Sequence, residues 1–262
     1  MNRSTLIIAC LSSFLALAGA AACSDDDSTA ATDSPDAGAD ADGGALPGED
    51  GGGADDGGGG GGSCEAARQT ALLPVDEVST AEVTVLSEEG ATKTLFVDAT
   101  AGGAAGAATE PRVYVDLSTG SRVDISDVAA ASSTAWDLAL ERSYVFTNGG
   151  DGGPGQGAAV YVDKPEADVT AADATGLVTE KFFDEDCNQI PDRSGRGFKT
   201  TFDDWYDYDL STNKLTPFEG TYVVRGGTGK LYKVRIVTYY ANPDGNVGEV
   251  SGRFVLRVTP LD

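Results

Sequence analysis

Tyr222-Val223-Val224-Arg225, Gly226-Gly227-Thr228-Gly229, Lys230 to Tyr240 (KLYKVRIVTYY), Pro243-Asp244-Gly245 and Val250 to Val258 (VSGRFVLRV) form the stretch on which the fold turns. Apolar and polar residues alternate through its three runs, and Gly, Pro, Asp and Thr fill the two gaps. This is the pattern of a three-stranded antiparallel meander with turn chemistry at both corners. Strand side chains point alternately to opposite faces. Tyr232, Val234, Ile236, Thr238 and Tyr240 are therefore expected on one face, joined by Phe254, Leu256 and Val258 as the core side. Lys233, Arg235, Arg253 and Arg257 are expected on the other.

The same alternation recurs upstream in Glu82 to Leu86, Thr94 to Val97, Arg112 to Leu117 and Ala158 to Val162. Val128 to Ala139 is the one stretch that reads as a short helix or turn. The fold class is all-β, a single antiparallel domain over residues 63–262, a size that suits one domain.

Residues 1–22 read differently. Arg3 precedes the apolar run Leu6 to Ala18, and small residues follow up to Cys23. The run is shorter than the roughly 20 residues a bilayer span needs, and it fits a secretion signal. A Cys directly after small residues is where bacterial lipoproteins are cleaved and acylated, which nominates Cys23, although Ala20 stands where Leu is usual. Ser24 to Gly62 then holds 11 acids, 13 Gly, no Lys or Arg and no aromatic residue. Such a segment cannot bury enough apolar surface to offset the entropy of ordering, so 23–62 is expected to be a lipidated, disordered tether. Its span is on the order of 35 Å, enough to hold a domain clear of a membrane.

Composition excludes much. The chain carries 42 Asp and Glu against 18 Lys and Arg, a net charge of −24, and has no His. No Ser-His-Asp triad, Cys-His pair, His-ligated zinc or His-ligated haem can be built. The acidity argues against a nucleic-acid partner, since phosphate binding needs clustered cations. No spacing nominates an acid and base pair or an activated nucleophile, so no enzyme is expected.

If Cys23 is acylated, Cys64 and Cys187 remain in an oxidising compartment, which favours a disulfide over two free thiols. Around Cys187, the oxygens of Asp184, Asp186, Asn188 and Asp192 follow the one, three, five, nine spacing of calcium loops. Gln189 occupies the position of the required Gly, and Gly195 that of the closing Glu. An acidic surface loop stapled by Cys187 is the expectation, with Ca²⁺ binding, weak at best, as the alternative.

An ordered set of segments resembles the HmuY-like family of secreted haem-binding lipoproteins. The set comprises Asp116 to Gly120, Trp136 to Leu140, Thr147 to Gly150, Gly153 to Gly157, Trp205 to Asp209, Lys214 to Pro217, Tyr222 to Arg225 and Gly229 to Ile236 with Tyr239-Tyr240. The resemblance implies an all-β domain at the outer membrane or cell surface that takes haem and delivers it to a receptor. Studied relatives hold iron with paired His, or with Met in some cases. Here His is absent, the only Met is Met1, and Asn213 sits where many relatives are expected to carry His. Two readings follow. One is haem or tetrapyrrole capture without His, with Tyr206, Tyr208, Tyr239 and Tyr240 as contacts, since Tyr ligates haem iron; the basic strand face would meet the propionates. The other is a non-haem envelope lipoprotein that binds a different ligand or partner.

Overall fold

The structure is a computed structural model and describes residues 64–195, 197–203 and 205–262. The signal, the Cys23 site and the tether expected from the sequence lie outside the described residues. In chain order the strands begin with β1 (Val83–Glu89), β2 (Thr92–Asp98), β3 (Val113–Asp116), β4 (Ser121–Arg122), β5 (Leu138–Glu141) and β6 (Tyr144–Thr147). They continue with β7 (Ala158–Val162), β8 (Tyr206–Asp209), β9 (Lys214–Pro217), β10 (Thr221–Arg225), β11 (Leu231–Thr238) and β12 (Arg253–Pro260). Helix α1 spans Glu65–Leu72 and α2 spans Asp127–Ala130.

The meander β10-β11-β12 is present and forms the centre of a six-stranded sheet ordered β1-β2-β12-β11-β10-β7. All its pairings are antiparallel. A four-stranded sheet, β4-β3-β5-β6, packs on it, and β8 and β9 form a separate hairpin. The shared core takes Tyr232, Val234, Ile236, Phe254, Leu256 and Val258 from the large sheet, and Val113, Val115, Leu138, Leu140 and Val145 from the small one.

The small sheet is buried on both sides, which is why Leu138-Ala139-Leu140 is an uninterrupted apolar run. Its second face, through Tyr114, Ala139 and Phe146, packs against Trp136, Leu72, Phe182 and Phe198. That layer is tied down by the Cys64–Cys187 disulfide, whose Cα atoms lie 5.2 Å apart across a separation of 123 residues. Closing so long a loop contributes about 4–5 kcal/mol in the chain-entropy view. Beneath α1, the buried Arg112 guanidinium meets Asp127 and Glu141, each at 3.0 Å. Backbone N–H groups of Val75 and Arg112 also donate to Asp127, at 3.1 Å each.

The structure refines the reading of the sequence at three points. The short helix or turn expected within Val128 to Ala139 is helix α2 as far as Ala130 and a turn after it. Ser126 caps it by accepting from Ala129 N, Ser132-Ser133-Thr134 favours turns over helix, and Leu138 onward joins β5. Helix α1 had no signal in the apolar pattern, because Leu72 is its one buried residue. Finally, alternation on β11 holds only to Ile236. The register with β12 slips between Ile236 and Thr238, a bulge that puts an extra residue in one strand. Beyond it Tyr239, not Tyr240, fills the core, at 2 % exposure.

Candidate functional site

The motifs Trp136-Asp137, Thr147 to Gly150, Gly153 to Gly157 and Gly226-Gly227 converge into one junction between the two sheets. Asp137 accepts from Leu117 N at 2.8 Å and from Gly227 N at 2.9 Å. Burial pushes its carboxyl up, and those two hydrogen bonds pull it back down. Asn148 donates from Nδ2 to the carbonyls of Ser133 and Trp136, and its Oδ1 accepts from Gly155 N. The chain passes so close to itself that a Cβ on Gly149 would sit 2.0 Å from the Gly157 carbonyl oxygen. Next to it lies Glu180, whose carboxylate accepts from the backbone and hydroxyl of both Thr147 and Thr201. Burial still raises its carboxyl to about 7. These motifs are structural: their polar groups hold backbone.

The β8-β9 hairpin is built differently. At its turn, Asp209 accepts from the Ser211 hydroxyl and backbone and from the Thr212 hydroxyl, which hold its carboxyl down at about 2. Asn213 sits at φ +55°, a left-handed conformation that Asn tolerates better than most residues. Its presence there is explained by the turn. The Tyr208 phenol donates to Asn213 Oδ1 at 2.8 Å.

The four nominated tyrosines are thus gathered in one neighbourhood with unequal exposure. Tyr206 packs on Trp205 at 4.7 Å, and Tyr239 contacts Trp205, Tyr240 and Phe254 at 5.1–5.4 Å. Burial lifts the Tyr239 phenol to about 12. Tyr240 is half-buried, and its hydroxyl accepts from Leu215 N at 2.9 Å. Tyr208 is the open one, at 46 % exposure. Lys214 lies 5.6 Å from the Tyr240 ring centroid and pairs with Glu249 at 2.9 Å, tying the hairpin to the β11–β12 connection.

The loop around Cys187 spends its oxygens on itself. Asp184 accepts from the backbone N–H of Asp186 and Asn188, and Asn188 Nδ2 donates to its second oxygen. Asp192 takes the Tyr144 phenol and the Ser194 hydroxyl. Of the calcium-spaced Asp184, Asp186, Asn188 and Asp192, the side chains of Asp184, Asn188 and Asp192 are thus already engaged in hydrogen bonds. Among the described residues, no group of three or more acidic, Cys or His side chains could hold a metal.

A family model described as HmuY protein matches residues 108–254, from the approach to β3 into the start of β12. The chain belongs to the HmuY family. Similar solved structures include an HmuY-like heme binding protein from Bacteroides vulgatus, at 19 % identity, 69 % of this chain, 100 % of that chain and a TM-score of 0.44. An apo HmuY analogue from Tannerella forsythia follows at 16 %, 71 %, 100 % and 0.38. A lipoprotein from Bacteroides fragilis stands at 18 %, 67 %, 92 % and 0.40. No curated protein matches.

Within this HmuY-family fold, the face expected to offer free cations is largely committed. Arg257 pairs with Glu166 at 2.9 Å, Lys233 donates to the Glu166 carbonyl, and Arg253 pairs with Asp98 at 3.2 Å. The alternation of β11 and β12 located these residues correctly. The acids that meet them come from the segment after β7 and from β2, far away in sequence.

Proposed function

We propose that this chain is a lipid-anchored envelope protein that captures haem or a related tetrapyrrole without His ligands and hands it to an outer-membrane receptor. The observation that carries the reading is the family match, which spans the tyrosine-bearing hairpin. The donor set fits a single oxygen ligand. Tyr208 presents an exposed phenol, which donates to Asn213 in the turn of the same hairpin. Tyr oxygen is a known ligand of ferric haem iron. Tyr206 and Tyr240 would then supply apolar wall, while Tyr239 is buried in the core, and that burial raises its phenol to about 12. When bound, the haem would supply the iron; the chain would supply burial and one phenolate.

Titrating ferric haem into purified, tag-free protein tests this by absorbance. The expected result is a high-spin ferric spectrum that Tyr208→Phe abolishes. A low-spin spectrum with two nitrogen ligands, or one unchanged in Tyr208→Phe, overturns the assignment. No binding at all favours the non-haem reading, for which the absence of His and of any Met beyond Met1 already speaks. Membrane attachment is tested separately: Cys23→Ser is expected to release the protein from the membrane fraction, and unchanged partitioning refutes the anchor.

A further inference from the structure

Edge strand β7, the segment 178–181 and residues 199–203 enclose a cavity of about 480 Å³ that shares no lining residue with the tyrosine hairpin. Its floor is apolar. Tyr161 meets the buried Tyr222 edge-on at 5.3 Å, and Tyr222 is stacked on Phe202 at 4.2 Å, so the floor is rigid. Val178 is held against β7 by reciprocal backbone hydrogen bonds with Ala159, yet its side chain is 60 % exposed. An exposed Val facing an aromatic wall is a surface that gains by being covered.

The polar lining divides into spent and unspent groups. Thr200 Oγ1 accepts from Phe202 N, and Thr201 Oγ1 donates to Glu180. Lys181 and Lys199 also line the cavity; neither makes an ion pair or a side-chain hydrogen bond among the described residues, although Lys181 is close enough to Asp184 to help lower its carboxyl. Lys164, Lys214, Arg253 and Arg257 by contrast each sit on a carboxylate. One acid, Asp203, shares the wall. Within the lining itself two lysines stand against one carboxylate, on a chain with 42 acids and 18 bases.

We propose that this cavity binds a flat, apolar monocarboxylate, with the ring system on Tyr161 and Val178 and the carboxylate between Lys181 and Lys199. The size is within the usual range for small-ligand sites, roughly 300–1,000 Å³. A ring against aromatic side chains recovers burial and edge contacts, and charge-assisted hydrogen bonds to the lysines select an anionic head.

The test uses the full chain and the fluorescence of 1-pyrenebutyrate, with neutral 1-pyrenebutanol as the second arm. Saturable one-to-one binding of the acid is expected. The double variant Lys181→Gln/Lys199→Gln should weaken the acid at least about tenfold and leave the alcohol unchanged. Val178→Asp, at an exposed position that folding tolerates, should weaken the acid as well. Tyr208→Phe should have no effect, which separates this site from the hairpin. Equal affinity of the double variant for the acid, loss of binding in Tyr208→Phe, or no saturable binding by the parent chain each overturns the proposal.

Discussion

At the sheet junction, Asp137 and Asn148 spend their polar atoms on backbone groups from distant loops, and glycines bring strands within a distance no Cβ would allow. On the β8-β9 hairpin, Tyr208 and Asn213 bond only to each other's neighbourhood, five residues apart, and the tyrosine remains open to solvent. Both regions carry motifs of the same family. The difference teaches that a motif's recurrence does not say what it does: one set closes the architecture, and the other leaves a phenol exposed to solvent.

The sharpest way to break that contrast is Asp137→Ala. It strands two buried N–H groups, those of Leu117 and Gly227, and each unsatisfied donor costs roughly 1–3 kcal/mol. A loss of about 4 kcal/mol by denaturant unfolding is expected; a loss below about 1 kcal/mol would mean that the junction relaxes as freely as the hairpin.

Glu180 sharpens the comparison through pH. Its folded-state carboxyl titrates near 7, against an ordinary 4.5, because burial disfavours the charge. A raised folded value means that folding favours the protonated acid. The stabilisation is whole below about 4.5 and is lost as pH rises through about 7. Stability should therefore fall across that window by about 3 kcal/mol from this group. In Glu180→Gln that slope should flatten, as unfolding at pH 4 to 8 would show. A slope unchanged in the variant would place the titration elsewhere.

The smallest effect belongs to the hairpin. Tyr208→Phe removes one exposed hydrogen bond and should shift unfolding free energy by less than about 0.5 kcal/mol. A larger loss would make Tyr208 a structural residue and remove the contrast between the two regions.

The meander was legible because burial on one face writes itself as alternation, and Tyr232, Val234 and Ile236 follow it without exception. The pairing of Cys64 with Cys187 was legible by compartment and elimination. The exchange of Tyr239 for Tyr240 was not, because the bulge after Ile236 is set by register with β12, which no local pattern records. Helix α1 was invisible for a related reason. It is held by the disulfide at its start, by Leu72 and by the small side chains of Ala67 and Ala71, which write only a faint apolar stripe. Nor could spacing have found Lys181 and Lys199, which are brought to one cavity by the path of the chain between them.

By itself the sequence determined what chemistry is possible. Without His, and with its one Met at position 1, no arrangement of this chain supplies an imidazole. Its excess of acids likewise makes every unpaired lysine unusual. The tertiary structure alone decided which groups are spent. Arg257 and Lys233 look like free cations in sequence until Glu166 arrives over the sheet. Tyr239 resembles Tyr208 until burial raises its phenol to about 12. Residue type fixes which bonds a side chain can make, but partners and solvent access are long-range properties, and they exist only once distant segments are packed together.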